Sequence, residues 1–419
     1  MEPLEFKKRP NSLVPVPFFA LGLLGLLSLN VGVAADPGAI TFPPNPQGIL
    51  LLHLAVLGWV TPVMMGADYQ LIPVVLHRPI GGQRAATAVL AVYAAGVLAF
   101  LLGWGAGRPT WIAAGGAAAG VALLGFAAHA GAALLRGPRL GPTALGLGGG
   151  LLFLVLTAVL GPWMALTIGG TATARFDRVL PLHAAAGLCG WLLLTIQGAT
   201  YQLMAFFAAT EPKVQPRFGG TAVVMVAAGA VLLLAAALVR GLPGVIGATV
   251  ASIGLGLWAY DMARLAHHGR QARREPVVTY SLTAVGTILL AAAGAVAALF
   301  GAPHVIVAAA YLGIVVGPSL LILGQLQKIL PFIASLEMSL AAKRRGRVPK
   351  TEALFPRGAA FGLLWAFGPG YAGLVVGLAC GLPILTRVAA GLVALSAAAY
   401  IAQQSRALAA WWSARRPSI

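Results

Sequence analysis

Charge is what this chain has least of. Of its 419 residues, 9% are Asp, Glu, Lys or Arg and 59% are apolar, with a mean hydropathy of +0.89. Soluble domains carry about 25% charged residues, so the composition excludes an ordinary soluble fold and indicates a polytopic membrane protein. Acidic residues are scarcest, 10 against 28 Lys and Arg, for a net charge of +18. That excess does not mark a nucleic-acid binder. The basic residues sit in short loops between apolar runs, where membrane topology is encoded, and not on one face of a soluble domain. Cysteine is nearly missing too. Cys189 and Cys380 both fall in apolar spans, with no C-x-x-C-H and no pair spaced for zinc or an iron–sulfur cluster.

What is present is a series of long apolar runs. The first follows Lys7, Lys8 and Arg9 and extends from Leu13 to Ala34. It is longer than the apolar core of a cleaved signal peptide, so it counts as a span, with cleavage near Ala34 and Ala35 as the alternative. Breaks rich in Gly, Pro and charge then predict twelve spans in a single membrane domain covering residues 1–419. They lie near 12–34, 48–76, 85–106, 111–135, 142–168, 179–208, 219–239, 244–266, 279–300, 303–333, 357–380 and 384–410. Alternate loops differ sharply in charge. The set holding both termini carries 22 of the 28 basic residues, whereas the other holds only Arg108, Arg175, Arg178, Arg240 and Arg387. The asymmetry predicts a multi-pass protein of the cytoplasmic membrane with both termini in the cytoplasm. The basic stretch 334–356 reads as a cytoplasmic connector near anionic lipid.

Two spans share a motif. His53-LAVLGWVTPVMMGADYQLIP and His183-AAAGLCGWLLLTIQGATYQLMAF both contain GW-x6-GA-x-YQL, matching Trp59, Gly66, Tyr69 and Gln70 with Trp191, Gly198, Tyr201 and Gln202. A looser third copy follows His304, with Gly324 and Pro331 at the places of Gly66 and Pro73 and Gly317 at that of the tryptophan. The copies recur every four spans. This predicts an all-α membrane protein of twelve transmembrane helices in three pseudo-symmetric four-helix units, arranged about an axis along the membrane normal.

Each copy opens with a histidine at the outer end of its span. An imidazole in an apolar span is a functional candidate, although a hydrogen bond to a backbone carbonyl is the simpler alternative for any one of them. Two neutral imidazoles on different helices can hold a b-type heme, with Gly58, Gly66, Gly187, Gly190 and Gly198 making room. Zinc suits them less, because no carboxylate or cysteine joins them at that level. Arg175, Arg178 and Arg387, in outer loops or just outside a span, are candidates to hold heme propionates; interface anchoring would explain them equally well.

The histidine followed by GADYQLIP resembles the second helix of the heme–copper oxidase subunit I superfamily, nearest the large subunit of nitric oxide reductase. The twelve spans, with Ala302-Pro303-His304 and then Tyr311 opening the tenth, are similar to that superfamily's plan. The resemblance implies that His53 and His304 are axial ligands of a low-spin heme b, and that His183 lies where one copper ligand is found. It also implies losses. Ala302 stands where the high-spin heme ligand would be, and the span 219–239 has no histidine for copper. Copper is therefore not expected, and the catalytic residues are unassigned.

Among the other polar residues, Asp68 lies 15 residues inward of His53, about 22 Å along a helix. It could relay protons with Tyr69 and Gln70 or pair with a basic residue near the cytoplasmic face. Asp261 is expected to pair with Arg264, and Lys328 to snorkel. His77, His129, His267 and His268 read as interfacial or structural. The expected function is electron transfer, or redox or gas (NO, O2) handling, through a bis-histidine heme, with an electron-donor protein or quinol as a possible partner beside the bilayer. A cofactor-free transporter or permease, and a true terminal oxidase or NO reductase subunit, are the alternatives.

Overall fold

The computed structural model describes residues 12–40, 45–76, 80, 82–136, 141–239, 241–302, 305–342 and 351–415. Among these residues there is no strand, only an isolated bridge between Thr210 and Gly269. Twelve helices are long and apolar enough to cross a membrane: α1 (Pro15–Ala35), α2 (Pro46–Val75), α3 (Gln83–Gly105), α4 (Pro109–Leu135), α5 (Pro142–Ile168), α6 (Phe176–Ala208), α7 (Gly219–Val239), α8 (Leu242–His267), α9 (Pro276–Ala298), α10 (Ile306–Ala341), α11 (Arg357–Cys380) and α12 (Pro383–Arg415). Each answers to one expected span.

Local signals set the ends. Asn45 caps α2 by accepting the Gly48 N–H at 2.7 Å, with Pro46 in the first turn. Gly381, with φ +64°, ends α11 in the left-handed conformation, and Pro383 opens α12. Two helices overrun the expected spans. Helix α10 continues eight residues past the expected end at 333, through Glu337 to Ala341, and α12 continues past 410 to Arg415. Their ends meet the start of α1. Ser12 Oγ donates to Glu337 at 2.5 Å, Trp411 Nε1 donates to Ser12 at 3.0 Å, and Arg415 Nη1 reaches Glu337 at 3.0 Å. The beginning of α1 and the ends of α10 and α12 thus share one face of the bundle, called the basic face below.

The helices form three units, α1–α4, α5–α8 and α9–α12. The last two helices of each unit make a close pair. Helix α4 packs on α5, α8 on α9 and α12 on α1, which closes the ring. Helices α2, α6 and α10, the bearers of the repeated motif, are the innermost, with 61%, 56% and 72% of their apolar windows buried. Within each unit the motif glycine seats the first helix. A Cβ on Gly66 would lie 2.9 Å from Phe18 and Phe19, on Gly198 2.7 Å from the Thr143 carbonyl, and on Gly324 2.5 Å from Tyr280. Close backbone approach of this kind substitutes for the hydrophobic drive that lipid does not supply.

Hydrogen bonds repeat as well. Trp59 Nε1 donates to Ser319 in the third unit at 2.9 Å, and Trp191 Nε1 donates to Thr61 in the first at 3.4 Å. Ser319 is the third-unit counterpart of Thr61. The remaining bond would run from residue 317 to residue 193, but these are Gly and Leu. Donor and acceptor are lost together, so neither leaves an orphan. Tyr69 Oη contacts His129 Nδ1 on α4 at 3.2 Å, and 132 residues on, Tyr201 Oη donates to Asp261 on α8 at 3.3 Å.

One expected ion pair is replaced by other contacts, and one expected snorkelling lysine has a defined anion. Asp261 is not the ion-pair partner of Arg264. It is fully buried and accepts the Arg217 and Phe218 N–H groups at 2.7 and 3.0 Å at the start of α7, while Arg264 donates to the Gln215 carbonyl. A carboxylate there meets the positive end of the helix dipole. Lys328, expected to snorkel, has its Nζ 2.6 Å from the buried Glu275 at the start of α9, which also pairs with Arg357 at 3.1 Å. Glu275, directly after Arg274 and just before α9, is buried and supplies the anion.

Candidate cofactor site

His53 ends the first, α-helical stretch of α2, and a π-helical segment, Leu54–Val60, begins at the next residue. Further π segments occupy Ala185–Leu193 in α6 and Leu312–Val316 in α10. All three units therefore widen their inner helix in the half that leads away from the unit's opening histidine position. Such segments tend to occur at functional sites. The wider turn misaligns some backbone groups, and the Leu57 carbonyl is met by Tyr93 Oη at 2.6 Å from α3. The sequence carried a signal for this. His53 precedes Trp59 by six residues and His183 precedes Trp191 by eight; the second π segment is nine residues long against seven in the first, and absorbs the difference.

The His53 ring is half-buried. Its Nδ1 lies 2.9 Å from the Ile49 carbonyl, and Phe100 of α3 meets it edge-on with centroids 5.1 Å apart. A carbonyl can only accept, so this contact places the imidazole proton on Nδ1 and the lone pair on Nε2. A histidine so held is oriented for metal ligation. His183 lies within electrostatic reach of His53, beside the Thr157 carbonyl. Its Nδ1 is buried without a hydrogen-bond partner, and Gly161 of α5 leaves the ring room, since a Cβ there would come within 2.9 Å of Cε1. Trp104 Nε1, in the aromatic row Trp104–Phe100–His53, is also buried without a partner.

These features fit part of a heme site. One imidazole has the required tautomer and a second has an unused nitrogen. His304, expected as the other axial ligand, lies outside the described residues. The structure sets His183, to which sequence reasoning gave no firm role, within electrostatic reach of His53. Tyr311 is buried in α10 just before its π segment, and its Oη has no partner.

The three arginines are all exposed. Arg175 is engaged by Asp177 through bonds of 2.9 and 3.3 Å, Arg178 follows in the first turn of α6, and Arg387 lies in the second turn of α12. Cys189 is half-buried within the second π segment and Cys380 is exposed at the end of α11. Among the described residues no group of three or more His, Cys, Asp or Glu is placed to hold a metal ion. His267 and His268 stack edge-on at the exposed end of α8; His77 lies outside the described residues.

Sequence reasoning passed over one further set of groups. Gln197, Gln325 and Gln327 are buried on α6 and α10 and retain amide atoms without partners; Asp68 on α2, which the sequence did single out, likewise keeps a carboxyl oxygen without one. Asp68 makes no ion pair among the described residues. Of its two expected roles, pairing with a basic residue is thus not seen among the described residues. In comparisons with known proteins, no family model matches this chain and no curated protein matches it significantly.

Proposed function

We propose that this is an integral membrane b-type heme protein, resembling the heme–copper oxidase subunit I superfamily, that serves electron transfer or the handling of a small gas such as NO or O2. The observation that carries this reading is His53: the Ile49 carbonyl on Nδ1 leaves Nε2 as a lone-pair donor inside an apolar bundle. His304 is the proposed second axial ligand. The heme, when bound, supplies one-electron exchange at its iron. The chain's part is to fix the His53 tautomer through Ile49, hold the ring against Phe100 and exclude water with the packed walls of α2 and α3. Arg175, Arg178 and Arg387 are proposed to face the propionates, Arg175 by exchanging its exposed Asp177 partner. The distribution of basic residues supports a cytoplasmic-membrane location with the basic face, and both termini, in the cytoplasm.

The test is an absorption spectrum of protein purified after expression with ample heme, oxidised and then dithionite-reduced. A Soret band with reduced α and β bands is expected, and His53→Ala and His304→Ala should each abolish the low-spin signal. A heme-free protein would remove the reading; a spectrum untouched by both variants would remove the ligand assignment. Carbon monoxide binding to the reduced His183→Ala protein, compared with wild type, reports whether His183 faces an open coordination position. A transporter or permease is favoured by a different observation, the partnerless polar groups of Asp68, Gln197 and Gln325 on the inner helices.

A further inference from the structure

Asp68 is the buried ionisable group that neither the heme reading nor the packing of the repeats employs. It is 2% exposed and lines a cavity of about 60 Å³ between α2, α6 and α10, large enough for water, whose other walls are mostly apolar. Oδ2 has no partner. The repeat shows how this arose. In the second unit the same position is Thr200, whose hydroxyl accepts Trp258 Nε1 at 3.0 Å. The first-unit counterpart of Trp258 is Phe126, which has no N–H to offer, and the third-unit counterpart of Asp68 is Leu326, which needs none. One of three equivalent positions thus holds a carboxyl, and the donor that would serve it is gone.

A carboxylate in such surroundings, with no counter-charge, costs several kcal/mol. A carboxyl that carries a proton of its own avoids that cost. Among the described residues that line the cavity there is no cation: the lining includes Phe19 from α1, Thr195 and Thr200 from α6, and Gln325 from α10. Tyr69, next along the chain, lies within electrostatic reach of Asp68, outside the cavity lining, and leads on to His129. Those two are bonded to each other, and half-buried His129 lies one and a half turns from the end of α4.

We propose that Asp68 is an intramembrane proton-binding site that exchanges with the basic face through Tyr69 and His129. For uptake, His129 in its imidazolium form gives its Nδ1 proton to Tyr69 Oη while Tyr69 passes its hydroxyl proton to the Asp68 carboxylate through an intervening water. His129 then regains a proton from solvent. One proton moves from solvent to Asp68, only N–H and O–H bonds change, and no redox partner is needed.

Infrared spectroscopy of the purified full-length protein tests this independently of any heme. Near neutral pH the wild type should show the C=O stretch of a protonated carboxylic acid, shifted in D2O. Both Asp68→Asn and Asp68→Thr should lose it; threonine is what the fold accepts at this position in the second unit. Exchange of that band in D2O should slow by roughly tenfold or more in Tyr69→Phe and in His129→Leu. A wild type without the band, or a band that survives both Asp68 variants, overturns the site. Exchange unchanged in both Tyr69→Phe and His129→Leu overturns the route.

Discussion

Replacing Asp261 with alanine should loosen the second unit at the junction of α6, α7 and α8. The carboxylate accepts the Arg217 N–H at 2.7 Å, the Phe218 N–H at 3.0 Å and Tyr201 Oη at 3.3 Å, and it is fully buried. Loss of a helix N-terminal acceptor costs about 1–2 kcal/mol. Removing a negative charge from the positive end of a helix adds about 0.3–1 kcal/mol, and an interhelical hydrogen bond in a membrane protein averages about 0.6 kcal/mol. Asp261→Ala should therefore destabilise by about 2–4 kcal/mol. Asp261→Asn keeps one acceptor oxygen and loses the charge, so it should fall about midway. The assay is reversible unfolding in mixed detergent micelles, with a double-mutant cycle against Tyr201→Phe. Coupling of about 0.6 kcal/mol is expected there, and additivity with Tyr69→Phe in the first unit. An Asp261→Ala protein within about 0.5 kcal/mol of wild type, or zero coupling to Tyr201, would refute the reasoning.

Three more outcomes follow from the packing. Gly66→Ala, Gly198→Ala and Gly324→Ala should each cost about 1–3 kcal/mol in the same unfolding assay, because the added Cβ meets the first helix of its unit at 2.5–2.9 Å. Glu275→Gln should cost about 3–5 kcal/mol by leaving Lys328 without its anion, while the double variant Glu275→Gln with Lys328→Met should recover part of that loss. In the tryptophan relay, Trp59→Phe and Trp191→Phe should each cost about 1 kcal/mol, measured as shifts in the unfolding midpoint; Ser319→Ala should add little once Trp59 is Phe, since the bond is already absent.

The spans were legible because hydropathy accumulates along a segment. All twelve helices fall on expected spans, and 142–168, 219–239 and 357–380 agree at both ends. The two overruns, α10 and α12, arose where charged residues near a helix end were taken for the end itself. Glu337 and Arg415 remain helical because each has a partner on another helix. The threefold repeat was legible in GW-x6-GA-x-YQL, and Gly66, Gly198 and Gly324 do the same packing work in each unit. The π segments were missed, although the two-residue difference between the His–Trp spacings marked one of them. Asp261 was expected to pair with Arg264 and instead accepts backbone N–H groups, and Lys328, expected to snorkel, has Glu275 as its anion.

The sequence by itself determined how many helices are long and apolar enough to cross, where most of them break and which three carry the repeated motif. Those properties depend on runs of neighbouring residues and on a motif repeated every four spans. Only the tertiary structure decided which polar groups are satisfied. Tyr201 and Asp261 are 60 residues apart, Trp191 and Thr61 130 apart, and Trp59 and Ser319 260 apart. A hydrogen bond needs its two atoms within about 3 Å in the right orientation, and no local pattern specifies that. The electrostatic reach between His53 and His183, and the partnerless Oδ2 of Asp68, became visible for the same reason once the inner helices were set side by side.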